Sequence, residues 1–509
     1  MLKKLSKNLN KVKKGIGFMS AKHESIGQER MFIDGNWVES SDNRWIQVDD
    51  PGVKGAIAGE VPQATKEDVD AAVKAATGAF KEWKKIQPRE RGRIISKIGD
   101  ELSNQIKALS RVVALETGNA LRTNSTGEVT QVADLFRFYG GIASEIKGET
   151  IPIGENLLSY TRREPLGVVG GIVPWNAPAL LAALKITLSL ATGNTLVLKA
   201  SSEAPLAVAR LVRICSEHLP PGVLNLVSGK GSECGAYLAE HPGLNKLTFT
   251  GSSEVGKKIF HAAAEKIIPV SLELGGKSPQ IVFPDADDDH TAAQVVSGMR
   301  FVRQGQSCTA GSRLFLHKSI YNSFLDKFIN KLKQIRVGDP LDEETDAGAI
   351  INEMQFNKVC EYISDGIQQP GADLVTGGLP PQAGPLSEGY YLEPTVFLGV
   401  SNDWRIAREE VFGPVLVVIP WEDEQEVIQM ANDSHYGLAA FIYTHNISKG
   451  LKMAHEIQSG FVWVNQGGGI LCGHSYGGFK GSGVGREYSL EGMLESFTQR
   501  KAVTINLDY

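Results

Sequence analysis

The chain has 509 residues, 42% of them hydrophobic and 22% charged, with a formal net charge of -5. That length is more than one ordinary core accommodates, so two or three domains are expected, and the composition excludes a disordered or membrane-embedded protein. The slight acidity gives no general attraction for nucleic acid, and no uninterrupted apolar run is long enough to span a bilayer, so the expected partners are small molecules.

The N-terminal segment carries Lys3, Lys4, Lys7, Lys11, Lys13 and Lys14 before its first acid, Glu24, without arginine and without a long apolar stretch. This argues against a secretory signal; the expected compartment is the cytoplasm, with the mitochondrial matrix as the alternative. Met19 leaves a second translation start open. The cysteines, Cys215, Cys234, Cys308, Cys360 and Cys472, are scattered, with no close pair suited to zinc or to a redox dithiol. No metal site is expected, and a reducing compartment is the simpler reading.

Thr65 and Asp68 form a capping-box pattern ahead of a helix whose apolar face is Val69, Val73, Ala76, Phe80 and Trp83. The next helix carries Ile94, Ile95, Ile98 and Leu102. Beyond Pro165 short apolar strands alternate with helices: strands at 167–173, 195–198, 223–227 and 247–250, and a helix from Pro205 through Val208, Leu211, Val212 and Cys215. This pattern predicts a parallel α/β sheet, in which ligands bind beyond the carboxyl ends of the strands and phosphates meet helix N-termini. Gly229, Gly231 and Gly235 miss the dinucleotide-binding glycine fingerprint by one residue. The stretch 251–257 nearly matches a phosphate loop, but Lys258 stands where a magnesium-binding Ser or Thr belongs. Either loop also reads as an ordinary strand-to-helix turn.

A second α/β block starts after Gly276, with strands at 281–283 and 313–317. Between them, Cys308 lies in Gly305-Gln306-Ser307-Cys308-Thr309-Ala310-Gly311-Ser312-Arg313, and upstream Glu273 opens Glu273-Leu274-Gly275-Gly276-Lys277. A thiolate adds readily to a carbonyl, small neighbours leave it room, and a carboxylate at a cleft edge can serve it as a base. Taken alone, a cysteine in a long chain is more often a small core hydrophobe.

Five motifs in order carry a resemblance: Pro174-Trp175-Asn176-Ala177-Pro178, Phe249-Thr250-Gly251-Ser252, the segments of Glu273 and Cys308, and Glu410-Val411-Phe412-Gly413-Pro414. From about Phe32 to Val503 the chain resembles the NAD(P)-dependent, non-acylating aldehyde dehydrogenase superfamily. The resemblance implies an α/β protein with a Rossmann-type cofactor domain (30–137 and 164–274), an α/β catalytic domain (275–475), a β oligomerisation arm (138–163 and 488–509) and a basic tail (1–29). It also implies a homodimer or homotetramer.

By position, the resemblance makes Cys308 the nucleophile that forms a thiohemiacetal, Asn176 with the Cys308 N–H the oxyanion donors, and Glu273 the base that activates water against the thioester. Lys185 and Glu487 match positions implicated in carrying the proton away, although they also read as an ordinary ion pair. Lys199 is implied at the adenosine ribose, Glu410 at the nicotinamide ribose and Phe412 beside the nicotinamide ring, with Trp175, Gly231, Gly251 and Ser252 along the dinucleotide path. Three residues after Lys199, where NAD-preferring relatives carry glutamate, stands Ser202, with Glu203 one place late, so both NAD and NADP are expected as cofactors.

The implied substrate pocket comprises Ala177, Leu180, Leu181, Leu184, Phe301, Val302, Ser307, Thr309, Gly468, Ile470 and Tyr476. Its wide apolar character suggests an aromatic or long aliphatic aldehyde, unless Arg303 and His474 point inward to meet an anionic tail. The alternatives to a hydrolytic enzyme are a type that passes the acyl group to coenzyme A, which needs no water-activating base such as Glu273, and a non-catalytic binding or structural protein on the same fold.

Overall fold

A computed structural model describes residues 23–508, so the lysine-rich start and its two candidate initiators lie outside the described residues. The first sheet has five parallel strands at its centre, in spatial order Val270–Glu273, Lys246–Thr250, Val168–Ile172, Thr195–Lys199 and Leu224–Val227. These central strands are almost wholly buried; Val168–Ile172 is apolar throughout, whereas Lys246–Thr250 and Val270–Glu273 alternate polar and apolar residues. Antiparallel strands close both edges: Met31–Ile33 and Asn36–Val38 beyond Leu224–Val227, and Gly483–Val484 beside Val270–Glu273. The alternation pattern did not reveal these edges, since strands of two or three residues are too short to show a period.

The parallel part of this sheet begins with Val168–Ile172, gains two strands on one side, and then the chain crosses back to add Lys246–Thr250 and Val270–Glu273 on the other. The switch between Val168–Ile172 and Lys246–Thr250 opens a crevice at their carboxyl ends. Both glycine-rich loops are strand-to-helix turns at this end of the sheet: Gly231 opens a wide helical turn at Gly231–Gly235, and Ser252 caps the helix Ser253–Lys266 by accepting from the Val255 N–H. The helix Lys66–Trp83 has the expected capping box, with Thr65 and Asp68 each accepting from the other's backbone N–H.

The second sheet has seven strands in the order Asp373–Thr376, Thr395–Leu398, Val415–Trp421, Arg313–His317, Pro279–Val282, Ala439–Tyr443 and Phe461–Val464, all parallel except the first. A separate three-stranded antiparallel sheet pairs Thr498–Asn506 with Leu157–Pro165, and that strand with Thr150–Ile151.

Three expected boundaries differ from the structure. Residues 23–29 are not tail: Gln28 bridges to Glu60, and the Glu29 carboxylate is paired with Arg210 and Arg213. Residues 138–142 complete the helix Thr126–Ile142 instead of starting the arm, because Tyr139 packs into the first core. Leu490–Phe497 is likewise a helix, anchored in the same core by Met493 and Phe497, so only the following strand belongs to the small sheet. No helix among the described residues is long and apolar enough to cross a membrane.

Candidate active site

A cavity of about 200 Å³ lies where the crevice of the first sheet meets the second block. Trp175 and Asn176 reach it from the loop after Val168–Ile172, Gly251 and Ser252 from the turn after Lys246–Thr250, and Glu273 from the end of its strand. Cys308 arrives from the opposite side on the loop that enters Arg313–His317, together with Glu410 and Phe412 from the segment before Val415–Trp421. The two halves touch closely at Gly276: a Cβ there would stand 2.3 Å from the carbonyl oxygen of Cys308, so no larger residue fits.

The Cys308 thiol lies 3.5 Å from the Tyr476 hydroxyl, and burial pushes its pKa up to about 11 despite that hydrogen bond. A resting thiol in this setting needs a base, or a neighbouring positive charge, to become a nucleophile. Glu273 is 5% exposed and its Oε2 has no hydrogen-bond partner among the described residues. Burial, and then the neighbouring Glu487 carboxylate, hold its pKa well above the ordinary carboxylate range, against the opposing charges of Lys185 and Arg486. A carboxyl group with its pKa raised in this way is, once ionised, a stronger base than an exposed one. Lys185 donates to Glu487 Oε1 over 2.5 Å, with both side chains almost fully buried.

One N–H of the Asn176 side-chain amide donates to Gln306 O over 3.0 Å, which fixes the group beside Cys308 and leaves its second N–H free for another acceptor. Glu410 accepts from the Gly276 N–H over 2.9 Å, and burial raises its pKa to about 7. Phe412 is held at φ 56°, a left-handed conformation that costs a bulky residue energy, and its ring meets Trp175 edge to face at 5.2 Å. Gln355 secures that conformation by donating from Nε2 to both Val411 O (3.1 Å) and Phe412 O (2.9 Å). Gln355, Lys358 and Tyr488 also line the cavity and were missed from the sequence. Tyr488 had a signal, being adjacent to Glu487, whereas nothing in the chain marks Gln355 apart from its place in a helix start.

Two further cavities continue away from this site. One of about 1010 Å³ lies between Gly231–Glu240 and the helix Ser253–Lys266, and shares Gly231 and Ser232 with another of about 390 Å³ that holds Ser202, Glu203, Lys230 and Asp49. Lys199 is buried nearby, and burial lowers its pKa. Ser202 does not project a free hydroxyl: it donates to Glu203 Oε1 over 3.0 Å, while Ser201 donates to Oε2 over 2.6 Å. The displaced glutamate therefore does present a carboxylate in this cavity. The dimensions suit the two halves of a dinucleotide, and Gly231 has open space where a side chain would stand.

Two of the residues expected around the substrate face the cavity described above. Leu181 and Tyr476 line the cavity beside Cys308; Ala177, Leu180, Leu184, Val302, Ser307, Thr309, Gly468 and Ile470 do not border it. Ala177, Leu184 and Thr309 are buried among neighbours, and Phe301 is fully enclosed in the second core. Ser307 and Thr309 share a 3.1 Å hydroxyl contact, and Gly468 packs against the Arg300 guanidinium. Leu184 lies one helical turn beyond Leu180, deeper along a helix that is apolar nearly all round, so sequence position alone could not tell core from pocket. Arg303 is turned onto Asn124 (3.3 Å) and Glu128 (3.4 Å), and the His474 ring packs 5.3 Å from Phe461. Arg303 is thereby paired within the protein, while His474 Nδ1 accepts from the Leu471 N–H over 3.3 Å.

A thiol and a buried carboxyl group, facing a glycine-lined, nucleotide-sized cleft at a sheet switch point, define a class of cofactor-dependent oxidoreductase that works on a carbonyl. The aldehyde dehydrogenase family model matches residues 37–503, and the chain belongs to that family. It is 40% identical over 487 residues to human retinal dehydrogenase 2, covering 95% of this chain and 92% of that protein. It is 40% identical to an aldehyde dehydrogenase of Enchytraeus buchholzi, covering 94% and 95%. Among solved structures, the NAD+ complex of an aldehyde dehydrogenase from Bacillus cereus superposes with a TM-score of 0.91 at 36% identity, covering 94% and 97%. Betaine aldehyde dehydrogenase from Staphylococcus aureus, also with NAD+, gives a TM-score of 0.91 at 37% identity, covering 94% and 95%.

Proposed function

We propose that this chain oxidises an apolar aldehyde, aromatic or long aliphatic, to its carboxylic acid, with water as the final nucleophile and NAD as the cofactor. The observation that carries the reading is the meeting of Cys308, Asn176 and Glu273 in one buried cavity. Bound NAD supplies a hydride acceptor. Cys308 Sγ adds to the aldehyde carbon, and the new alkoxide is held by the free N–H of Asn176 and the Cys308 backbone N–H. After the carbon is oxidised, Cys308 holds the product as a thioester. Glu273 then takes a proton from a water molecule as that water attacks the thioester carbonyl, and the C–S bond breaks to return the thiolate.

Around these groups, Glu410 and Lys199 are read as the two ribose partners, Trp175 and Phe412 as the walls of the ring site, and Gly231, Gly251 and Ser252 as the lining of the phosphate path. Glu203, held by Ser201 and Ser202, supports NAD over NADP, since its carboxylate opposes a 2'-phosphate. The apolar substrate class rests on Leu181, Tyr476 and Tyr488 around the thiol and on Arg303 being satisfied by Glu128. The small sheet is read as an intersubunit arm: Leu157, Leu158, Ile505 and Leu507 are exposed on it, and an exposed apolar strand is an aggregation hazard unless covered. Five free cysteines support a reducing, cytoplasmic setting.

The test is to follow reduced cofactor by its near-ultraviolet absorbance with a panel of aromatic, long aliphatic and small polar aldehydes, with and without coenzyme A, for the wild type and Cys308→Ala. Coenzyme-independent turnover of the apolar aldehydes, abolished in the folded variant, is expected. Strict dependence on coenzyme A, or near-normal turnover by Cys308→Ala, refutes the reading.

A further inference from the structure

Lys246 is fully buried in the centre of the first sheet and has no part in the chemistry above. Its strand pairs in parallel with Val270–Glu273, Thr248 opposite Ser271 and Thr250 opposite Glu273. Since side chains alternate across a sheet, Lys246, Thr248 and Thr250 share one face with Ser271 and Glu273, a polar row on a sheet that is otherwise apolar. Lys246 Nζ donates to Ser271 Oγ over 2.8 Å and lies over the Phe497 ring at 4.8 Å. Further along the row, Thr248 Oγ1 donates to Glu487 Oε1 over 3.4 Å, the same oxygen that pairs with Lys185.

The row has a cavity at each end. At the inner end Thr250, Glu273 and Glu487 border the Cys308 cavity. At the outer end Lys246 and Ser271 border a second cavity of about 290 Å³, together with Arg486, Glu491 and Glu495. Three buried atoms of the inner half, Thr250 Oγ1, Glu273 Oε2 and Glu487 Oε2, have no hydrogen-bond partner among the described residues. Buried polar atoms of this kind are characteristically bridged by ordered water, which also conducts protons.

We propose that Lys246, with Ser271, forms the outer step of a proton path that carries the proton collected by Glu273 along the Glu487 and Lys185 pair to solvent in the second cavity. The proposal rests on Glu273 being the deacylating base. As the water oxygen bonds to the thioester carbon and the thiolate leaves, the water proton passes to Glu273 and onward to the Glu487 carboxylate. Neutral Lys246 takes it by way of the Thr248 and Ser271 hydroxyls and releases it from the ammonium form to water beside Glu491 and Glu495. The charged and titratable groups around Lys246 and Glu487 are Lys185 from the helix behind, Arg486, Glu491 and Glu495 at the outer cavity, and Glu273, Tyr139 and Tyr488 on the inner side. Burial, the largest influence, lowers the Lys246 pKa to about 7, so the residue can alternate between its two forms at working pH.

The experiment compares full-length wild type, Lys246→Met, Ser271→Ala and Glu273→Gln by rapid mixing with NAD and an aldehyde that the wild type turns over, from about pH 6 to 9, with and without imidazole. For Lys246→Met, steady-state kcat is expected to fall on the order of tenfold, with hydride-transfer burst intact, kcat/KM unchanged and turnover restored by imidazole as a mobile proton carrier. Ser271→Ala should show a smaller fall with the same rescue, and it decides the matter if Lys246→Met does not fold. A wild-type kcat in both variants, a loss that imidazole does not restore, or a parallel fall in burst and kcat/KM overturns the proposal. Loss of the burst in Glu273→Gln would instead overturn the assignment of the base.

Discussion

Replacing Glu203 by Ser should raise the use of NADP relative to NAD. The Glu203 carboxylate is fixed by two serine hydroxyls, at 2.6 and 3.0 Å, on the wall of a cavity of about 390 Å³. For a 2'-phosphate admitted to a cavity of that size, a separation from the carboxylate on the order of 6 Å is taken. At that distance, in a partly hydrated pocket, repulsion amounts to about 2 kcal/mol per pair of unit charges, and Lys230 on the same wall offsets part of it. A net change of about 1 to 2 kcal/mol corresponds to roughly five- to thirtyfold in relative efficiency. The assay is kcat/KM for each cofactor, wild type against Glu203→Ser, at fixed saturating aldehyde. NAD should lose little, because Ser201 and Ser202 are left to hydrogen-bond its ribose hydroxyls. An unchanged ratio would refute the argument that this displaced glutamate senses the 2' position.

Glu273→Gln should give a normal burst of reduced cofactor followed by slow turnover, since the burst precedes thioester hydrolysis. In the wild type, deacylation should rise with pH through the raised pKa of Glu273, because only the ionised form accepts a proton, and rapid-mixing pH profiles should show that rise absent in the variant. Asn176→Ala should lower kcat on the order of a hundredfold or more, with cofactor affinity measured by fluorescence titration nearly unchanged. His23, whose ring nitrogens reach Asp50 (2.8 Å) and Asp339 (2.9 Å), has its pKa raised to about 10 by those hydrogen bonds. The stability it adds is full below its unfolded pKa of about 6.5 and fades as pH rises toward 10; the denaturation gap between wild type and His23→Gln should close over that window. Light scattering should find a dimer or tetramer, and Leu158→Asp with Ile505→Asp should shift it toward smaller species. A stable wild-type monomer would refute the arm assignment.

The alternation of largely apolar runs with amphipathic helices predicts the parallel sheets and the approximate strand positions, because a strand covered on both faces is mostly apolar while a helix on the surface has one polar side. Local chemistry is equally readable: the Thr65 capping box depends on residues three apart, and the motifs of Cys308, Glu273 and Asn176 each occupy a few adjacent positions. What the sequence left undecided depends on which side chains meet across hundreds of residues. In the chain Ser202 reads as an open donor, whereas in the fold its hydroxyl donates to Glu203, and Arg303 is met by Glu128 from a distant helix. Leu181 faces the cavity while Leu184, three positions on, is core, a choice made by how one helix is rotated against its neighbours. Lys246 shows the same limit: an ordinary lysine in an ordinary strand becomes part of a buried polar row only when Ser271 packs against it and Glu487 against Thr248. Periodicity and short motifs are local properties that survive in the unfolded chain, whereas the partner of a buried charge and the face a helix turns inward exist only once distant segments have packed.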